Sequence, residues 1–244
     1  MKKMRAAAII SAVAVAAAGV SAALLYFGVW HINRIDSSKY PTVGVDVSRY
    51  QGEIDWERLS DEGLSFAFIK ATEGSKHVDP RFDYNWSAAA ATDLRIGAYH
   101  FFSFESAGES QAELFCSTVK AVDGMLPPVV DVEFYGSFRS ENDIDAAEVK
   151  TQLRAFIDRV EREYSVKPII YATKNSYHAL IADDFDDCDL WFRSVYSGVP
   201  DGIDWTFWQY SNRHVLEGYS GQERYIDMNV FNGSQADFAA YGRG

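Results

Sequence analysis

From residue 43 to the C-terminus, short apolar runs alternate with amphipathic segments. Eight runs are rich in β-branched and aromatic residues: VGVDVS, FAFIKA, IGAYHFF, PVVDVEF, PIIYAT, LWFRSVY, WTFWQY and YIDMNVF. Each is six or seven residues long, the length of a buried strand. Between several of them apolar residues recur at helical spacing, over 80–94, 109–122 and, longest, 143–164. Strand–helix alternation predicts an α/β chain with a parallel sheet, and eight strands in about 200 residues predict a closed TIM-like (β/α)8 barrel. The later segments leave little room for helices, so the barrel is expected to be irregular. Its active site is expected at the carboxyl ends of the strands.

The N-terminus reads differently. Lys2, Lys3 and Arg5 are followed by a charge-free run over 6–30. As a helix this run would be about 37 Å long, more than the ~30 Å hydrocarbon core of a bilayer. A cleaved signal peptide shares the basic start, but its apolar region is shorter, and here LLYFGVW continues past the small residues 21–23. Tyr26 and Trp30 stand where an interfacial aromatic belt would. The expectation is a basic cytoplasmic tail over 1–5, a transmembrane signal anchor over 6–30 and a polar linker over 31–41. A single domain over 42–244 would then lie outside the cytoplasm, held at the cell membrane, or secreted if the anchor is cleaved.

Composition narrows the function. With 48% apolar and 15% aromatic residues the chain is built to fold. The net charge of −12 argues against nucleic acid as a partner, since that needs a basic face. The two cysteines, Cys116 and Cys188, do not make a disulfide framework and are expected to be free thiols.

Polar residues interrupt several of the apolar strands near the carboxyl end. The first holds Asp46, the fourth Asp131 and Glu133, the seventh Gln209, the last Asp227 and Asn229. A carboxylate inside a barrel costs several kcal/mol unless it is paired, so four converging acids point to chemistry. Residues i and i+2 of a strand share a face about 6–7 Å apart, so Asp131 and Glu133 lie together and one pKa should rise. A protonated carboxyl beside an ionised one is what glycosidic bond cleavage requires. Glu133, longer and nearer the strand end, suits the proton donor, and Asp131, deeper, suits the charge stabiliser. Spacing alone leaves retention and inversion both open.

Aromatics in and just past the strands suit a sugar, whose rings present apolar faces. Tyr99, Tyr171, Trp191, Trp208 and Tyr210, with Gln209, are the candidate substrate contacts. His100 reads as a hydrogen-bonded wall residue rather than a base. No histidine stands at ligand spacing to the acids, so no metal is expected. Neither a G-x-S-x-G elbow nor a phosphate-binding glycine loop occurs.

These segments, in order, resemble a known family. GVDVSRYQGEIDW, FAFIKATEG, GAYHFF, PPVVDVEF, KPIIYAT, WTFWQYS and IDMNVFNG are similar to the glycoside hydrolase family 25 lysozymes over about 200 residues. The resemblance implies an N-acetylmuramidase with a distorted (β/α) barrel. Such enzymes cut the β-1,4 bond between N-acetylmuramic acid and N-acetylglucosamine in peptidoglycan and use no cofactor. It implies Glu133 as general acid and Asp131 as assistant to attack by the substrate's own N-acetyl group, with retention. Asp46 and Asp227 match the remaining active-site acids. Arg193, in LWFRSVY, departs from the small residue more usual there, and no wall-binding repeat follows the barrel. Two other readings keep the same barrel: a non-catalytic glycan-binding scaffold, and a hydrolase of another N-acetylated glycan such as chitin.

Overall fold

The computed structural model describes the backbone of residues 2–242 and the side chains of residues 10–242. All eight expected strands form: β1 (Val43–Val47), β2 (Phe66–Glu73), β4 (Arg95–Phe101), β5 (Val129–Val132), β6 (Ile169–Thr173), β7 (Leu190–Arg193), β8 (Phe207–His214) and β9 (Ile226–Phe231). A two-residue strand, β3 (His77–Val78), adds a short hairpin to β2. The hydrogen-bonded order runs β1-β9-β8-β7-β6-β5-β4-β2, and the β1–β2 pairing closes the barrel.

Apart from the antiparallel β2–β3 hairpin, every pairing among β1 to β8 is parallel, but β9 runs antiparallel to both its neighbours. The cause is the connection 215–225, too short to carry a crossover helix back across the barrel. The reversal corrects the expectation that each polar residue sits at a carboxyl strand end. Asp227 is near the amino end of β9, and the reversed strand brings it to the same mouth as Asp46, its register partner on β1.

Period-two alternation sorts the side chains into two cores. Inside the barrel, Phe66, Phe68, Val129, Ile169, Trp191, Phe207 and Phe231 form an aromatic plug, closed below by Phe238 of α7 (Gln235–Ala240). Gly44 and Gly97 face this plug, because a Cβ would come within 2.4 Å of the Phe66 ring and 2.6 Å of the Phe68 ring. Outside the sheet, a larger aliphatic layer packs under α3 (Phe82–Ala89), α4 (Gly108–Thr118) and α5 (Ala146–Tyr164). Helix α5 starts where the Asp145 carboxylate accepts the Ala147 and Glu148 N–H groups. It buries Val149, Leu153, Phe156, Ile157 and Val160, the stripe its sequence pattern predicts. A short helix, α2 (Trp56–Ser60), and one helical turn, α6 (Lys174–Ser176), complete the set. Few helices flank β7, β8 and β9, as expected from the short late connections. Cys116 and Cys188 are both free thiols.

The N-terminal segment forms one continuous helix, α1 (Lys2–Tyr26). It stops at Tyr26 rather than Trp30, because Gly28 at φ +68° turns the chain and the Val29 and Trp30 N–H groups return to the Leu24 carbonyl. Among the described residues no helix is long and apolar enough to cross a membrane. Part of the expected span, 6–9, lies outside the described side chains, and the described remainder does not support the expected membrane anchor. The end of α1 contacts the barrel: Arg213 donates to the Tyr26 carbonyl at 2.8 Å, and Tyr225 donates to the same oxygen.

Candidate active site

Above the aromatic plug, the inward-facing positions change from apolar to polar, and a cavity of about 490 Å³ opens at the mouth. Asp46 of β1, Lys70 of β2, Tyr99 of β4, Asp131 of β5, Tyr171 of β6 and Arg193 of β7 line it. Glu133, just past β5, Trp191, Gln209 and Asp227 complete its inner wall. The strand pattern therefore brings together eight of the ten expected residues, four acids, three aromatics and one amide.

The floor of the site is a connected hydrogen-bond network. Trp191 Nε1 donates to Asn229 Oδ1 at 2.8 Å, and Asn229 Nδ2 donates to Asp46 Oδ1 at 2.7 Å. Gln209 Nε2 donates to the same Asp46 oxygen at 2.9 Å and to Asp227 Oδ2 at 3.2 Å. Its own oxygen accepts the Tyr171 hydroxyl at 3.1 Å. Each group in this chain fixes the next, which holds the Asp46 and Asp227 carboxylates in place.

Burial raises the pKa of all four acids. Asp131 is pushed well above the carboxylate range, first by burial and then by the charge of Glu133. Glu133 is raised by burial but held back by the cations Arg193 and Lys70. Asp227 is likewise pushed well up by burial and by Asp46, whereas the amides of Asn229 and Gln209 restrain Asp46. The sequence suggested that one member of the Asp131–Glu133 pair would rise. Both do, and Asp131 rises further because it is deeper and its Oδ1 is buried with no hydrogen-bond partner. Two such neighbours titrate as a pair, which retains a proton above the usual carboxylate range. The same burial keeps the Tyr99 and Tyr171 hydroxyls protonated as donors.

Two expected substrate contacts lie elsewhere. Trp208 and Tyr210 belong to the outer core, where Trp208 Nε1 donates to the Ser194 carbonyl at 3.0 Å. They flank Gln209 in β8, so when Gln209 points inward both point outward. His100 also faces outward. It is fully buried, bonded to Thr72 at 2.7 Å and Gln111 at 3.0 Å, and stacked on Phe156, and burial lowers its pKa to about 4. Among the described residues no group of acids, histidines and cysteines is arranged to hold a metal ion.

Several lining residues went unrecognised in the sequence. Lys70 continues the inward row Phe66, Phe68, Lys70, and its Nζ lies 2.7 Å from Glu73 and 4.8 Å from the Phe101 ring centre. Tyr50, half exposed beneath the Arg49 guanidinium in a single 3-10 turn after β1, and Tyr225, in the loop before β9, come from segments with no periodic signal.

Comparison with known proteins gives a consistent answer. The profile of "Glycosyl hydrolases family 25" matches residues 45–219. A family 25 glycosyl hydrolase from Bacillus anthracis is 46% identical, superimposes with a TM-score of 0.80, and covers 87% of this chain and 98% of its own. The uncharacterized protein YegX of Escherichia coli (strain K12) is 40% identical over 85% of this chain and 75% of its own length. Lysozyme M1 of Streptomyces globisporus is 34% identical over 81% of this chain and 70% of its own. The chain belongs to glycosyl hydrolase family 25 and is a glycoside hydrolase.

Proposed function

We propose that the protein is an N-acetylmuramidase that cuts the β-1,4 bond between N-acetylmuramic acid and N-acetylglucosamine in peptidoglycan. The reading rests on one observation: beside the more accessible Glu133, the Asp131 Oδ1 atom is buried and lacks a hydrogen-bond partner. The N–H of the substrate's N-acetyl group donates to Asp131, which favours its ionised form and leaves the pair's proton on Glu133. Glu133 gives that proton to the glycosidic oxygen as the bond from that oxygen to the anomeric carbon breaks. The carbonyl oxygen of the substrate's own N-acetyl group bonds to the anomeric carbon from the other side. Asp131 accepts the N–H of that group, whose nitrogen becomes positive, so a buried acceptor gains a partner as charge develops. Water then attacks the anomeric carbon as its bond to the N-acetyl oxygen breaks, Glu133 takes a proton from that water, and the product keeps the original configuration. Asp46 and Asp227 hold the field around the pair. Lysozyme M1, a 34% identical relative, is consistent with this substrate. Peptidoglycan lies outside the cytoplasm, so the barrel acts there, exported with its apolar N-terminal helix.

The test is mass spectrometry of fragments released from purified peptidoglycan by the full chain, with Glu133→Gln alongside. Fragments ending in reducing muramic acid, absent with the variant, support the proposal. Fragments ending in reducing N-acetylglucosamine would show a different bond is cut. Bound but uncut glycan would show a binding protein instead.

A further inference from the structure

A second cavity, of about 570 Å³, opens at the same mouth and shares Arg193 with the first. Its walls are the loops that follow β5, β6 and β7, over 134–139, 173–175 and 193–197. Three of its lining side chains are cationic, Arg139, Lys174 and Arg193, and none is acidic. In a chain of net charge −12 this is a local inversion of sign. Among the described residues none of the three side chains makes an ion pair or a hydrogen bond. Arg193 is half-buried and feels the charges of Glu133, Asp227 and Asp46, so it stands between the reacting acids and this cavity. Arg139 lies within electrostatic reach of Asp143, which accepts its backbone N–H at 2.9 Å. An aromatic wall of Phe134, Tyr135 and Phe138 backs the cations, and Tyr196 stands 68% exposed at the rim.

A glycan strand lying in the first cavity carries little charge of its own. What is anionic, extended and partly apolar in peptidoglycan is the peptide stem, which is attached to the muramic acid at the scissile bond. On the muramidase reading above, we infer that the second cavity is a subsite for the carboxylates of that stem, with Lys174 and Arg139 as their partners and the aromatic wall under its apolar side chains. Charge, position beside Glu133 and the lack of any acid in the lining all fit this occupant. The subsite makes the enzyme prefer glycan that still carries charged stems.

The test is calorimetric titration of the full chain bearing Glu133→Gln, so that nothing is cleaved. The ligands are a soluble muramic acid–N-acetylglucosamine tetrasaccharide with free stem carboxylates and the same tetrasaccharide with those carboxylates amidated. The free-carboxylate ligand is expected to bind about tenfold more tightly, the size of two partly exposed charge pairs. Adding Arg139→Ala and Lys174→Ala should bring the ratio to within about twofold. Equal binding of both ligands by the parent, or a ratio that survives the double substitution, overturns the inference, as does no binding of either. If wild-type protein leaves the tetrasaccharide uncut while the binding ratio persists, the muramidase reading fails and the subsite stands.

Discussion

Asp46 and Asp227 are direct register partners on antiparallel β1 and β9, and the single amide of Gln209 donates to both. Two buried carboxylates this close cannot both ionise freely, and Asp227 is accordingly pushed well above its ordinary range. Asn229 and Gln209 both favour the ionised form of Asp46 by donating to it, and Gln209 alone also reaches Asp227, while its oxygen is occupied by Tyr171.

Gln209→Leu keeps the approximate volume and removes the shared donor. A hydrogen bond to a charged group contributes about 1.5–3 kcal/mol, so kcat should fall by roughly 10–100-fold with KM changed much less. Steady-state kinetics on soluble peptidoglycan fragments measure this. A loss of less than about twofold would show that the acids hold their places without Gln209.

Glu133 must hold a proton to act, so activity is expected to fall as pH rises through its elevated pKa. After burial, the largest influence on that pKa is Arg193, which lowers it. Arg193→Gln should therefore move the basic limb of the kcat/KM profile to higher pH, whatever it does to the maximum rate. Glu133→Gln should lose about 10²–10⁴-fold in rate at pH values below that limb, and the limb itself should disappear. A basic limb that stays put or moves to lower pH in Arg193→Gln would remove the cation from this role.

The strands and the four acids were legible because a period of two is strict: Asp131 and Glu133 share a face whatever else the barrel does. The same rule contained a warning that was missed. Gln209 sits between Trp208 and Tyr210, so the three could never all reach one cavity, and the structure turns both aromatics outward. Lys70 was legible too, as the third inward residue after Phe66 and Phe68, but a lysine in a strand reads as surface. The reversal of β9 was not visible in its own residues. It follows from the short connection 215–225, a constraint on topology rather than on propensity. Contributors between the strands, such as Tyr50 and Tyr225, carry no periodic signal, since only the closed barrel brings them to the cleft.

Asp131 should oppose folding when ionised. Its folded pKa is raised, so its favourable contribution is complete below the unfolded value near 3.8 and is lost as pH rises through the folded pKa. Asp131→Asn removes that loss. The variant should melt roughly 2–8 °C above wild type at pH 7–8, with the difference shrinking towards zero as pH approaches about 4. Differential scanning calorimetry across that range decides the matter. A variant that melts lower than wild type at pH 8 would mean that the ionised carboxylate has a stabilising partner.

His100 provides the complementary case, a buried titratable group that serves the fold rather than the chemistry. It faces away from the cleft, between β4 and α5, with both ring nitrogens bonded and its ring on Phe156. His100→Ala leaves a cavity and strands the Thr72 hydroxyl, at a cost of about 3 kcal/mol, or roughly 6–12 °C in melting temperature. At a temperature well below that transition, cleavage should stay within about twofold of wild type, because no atom of His100 lines the cavity. The two measurements together separate the roles. A thousandfold loss of cleavage in a variant that still folds would make His100 part of the chemistry, and a variant that melts with wild type would show that the wall does not need it.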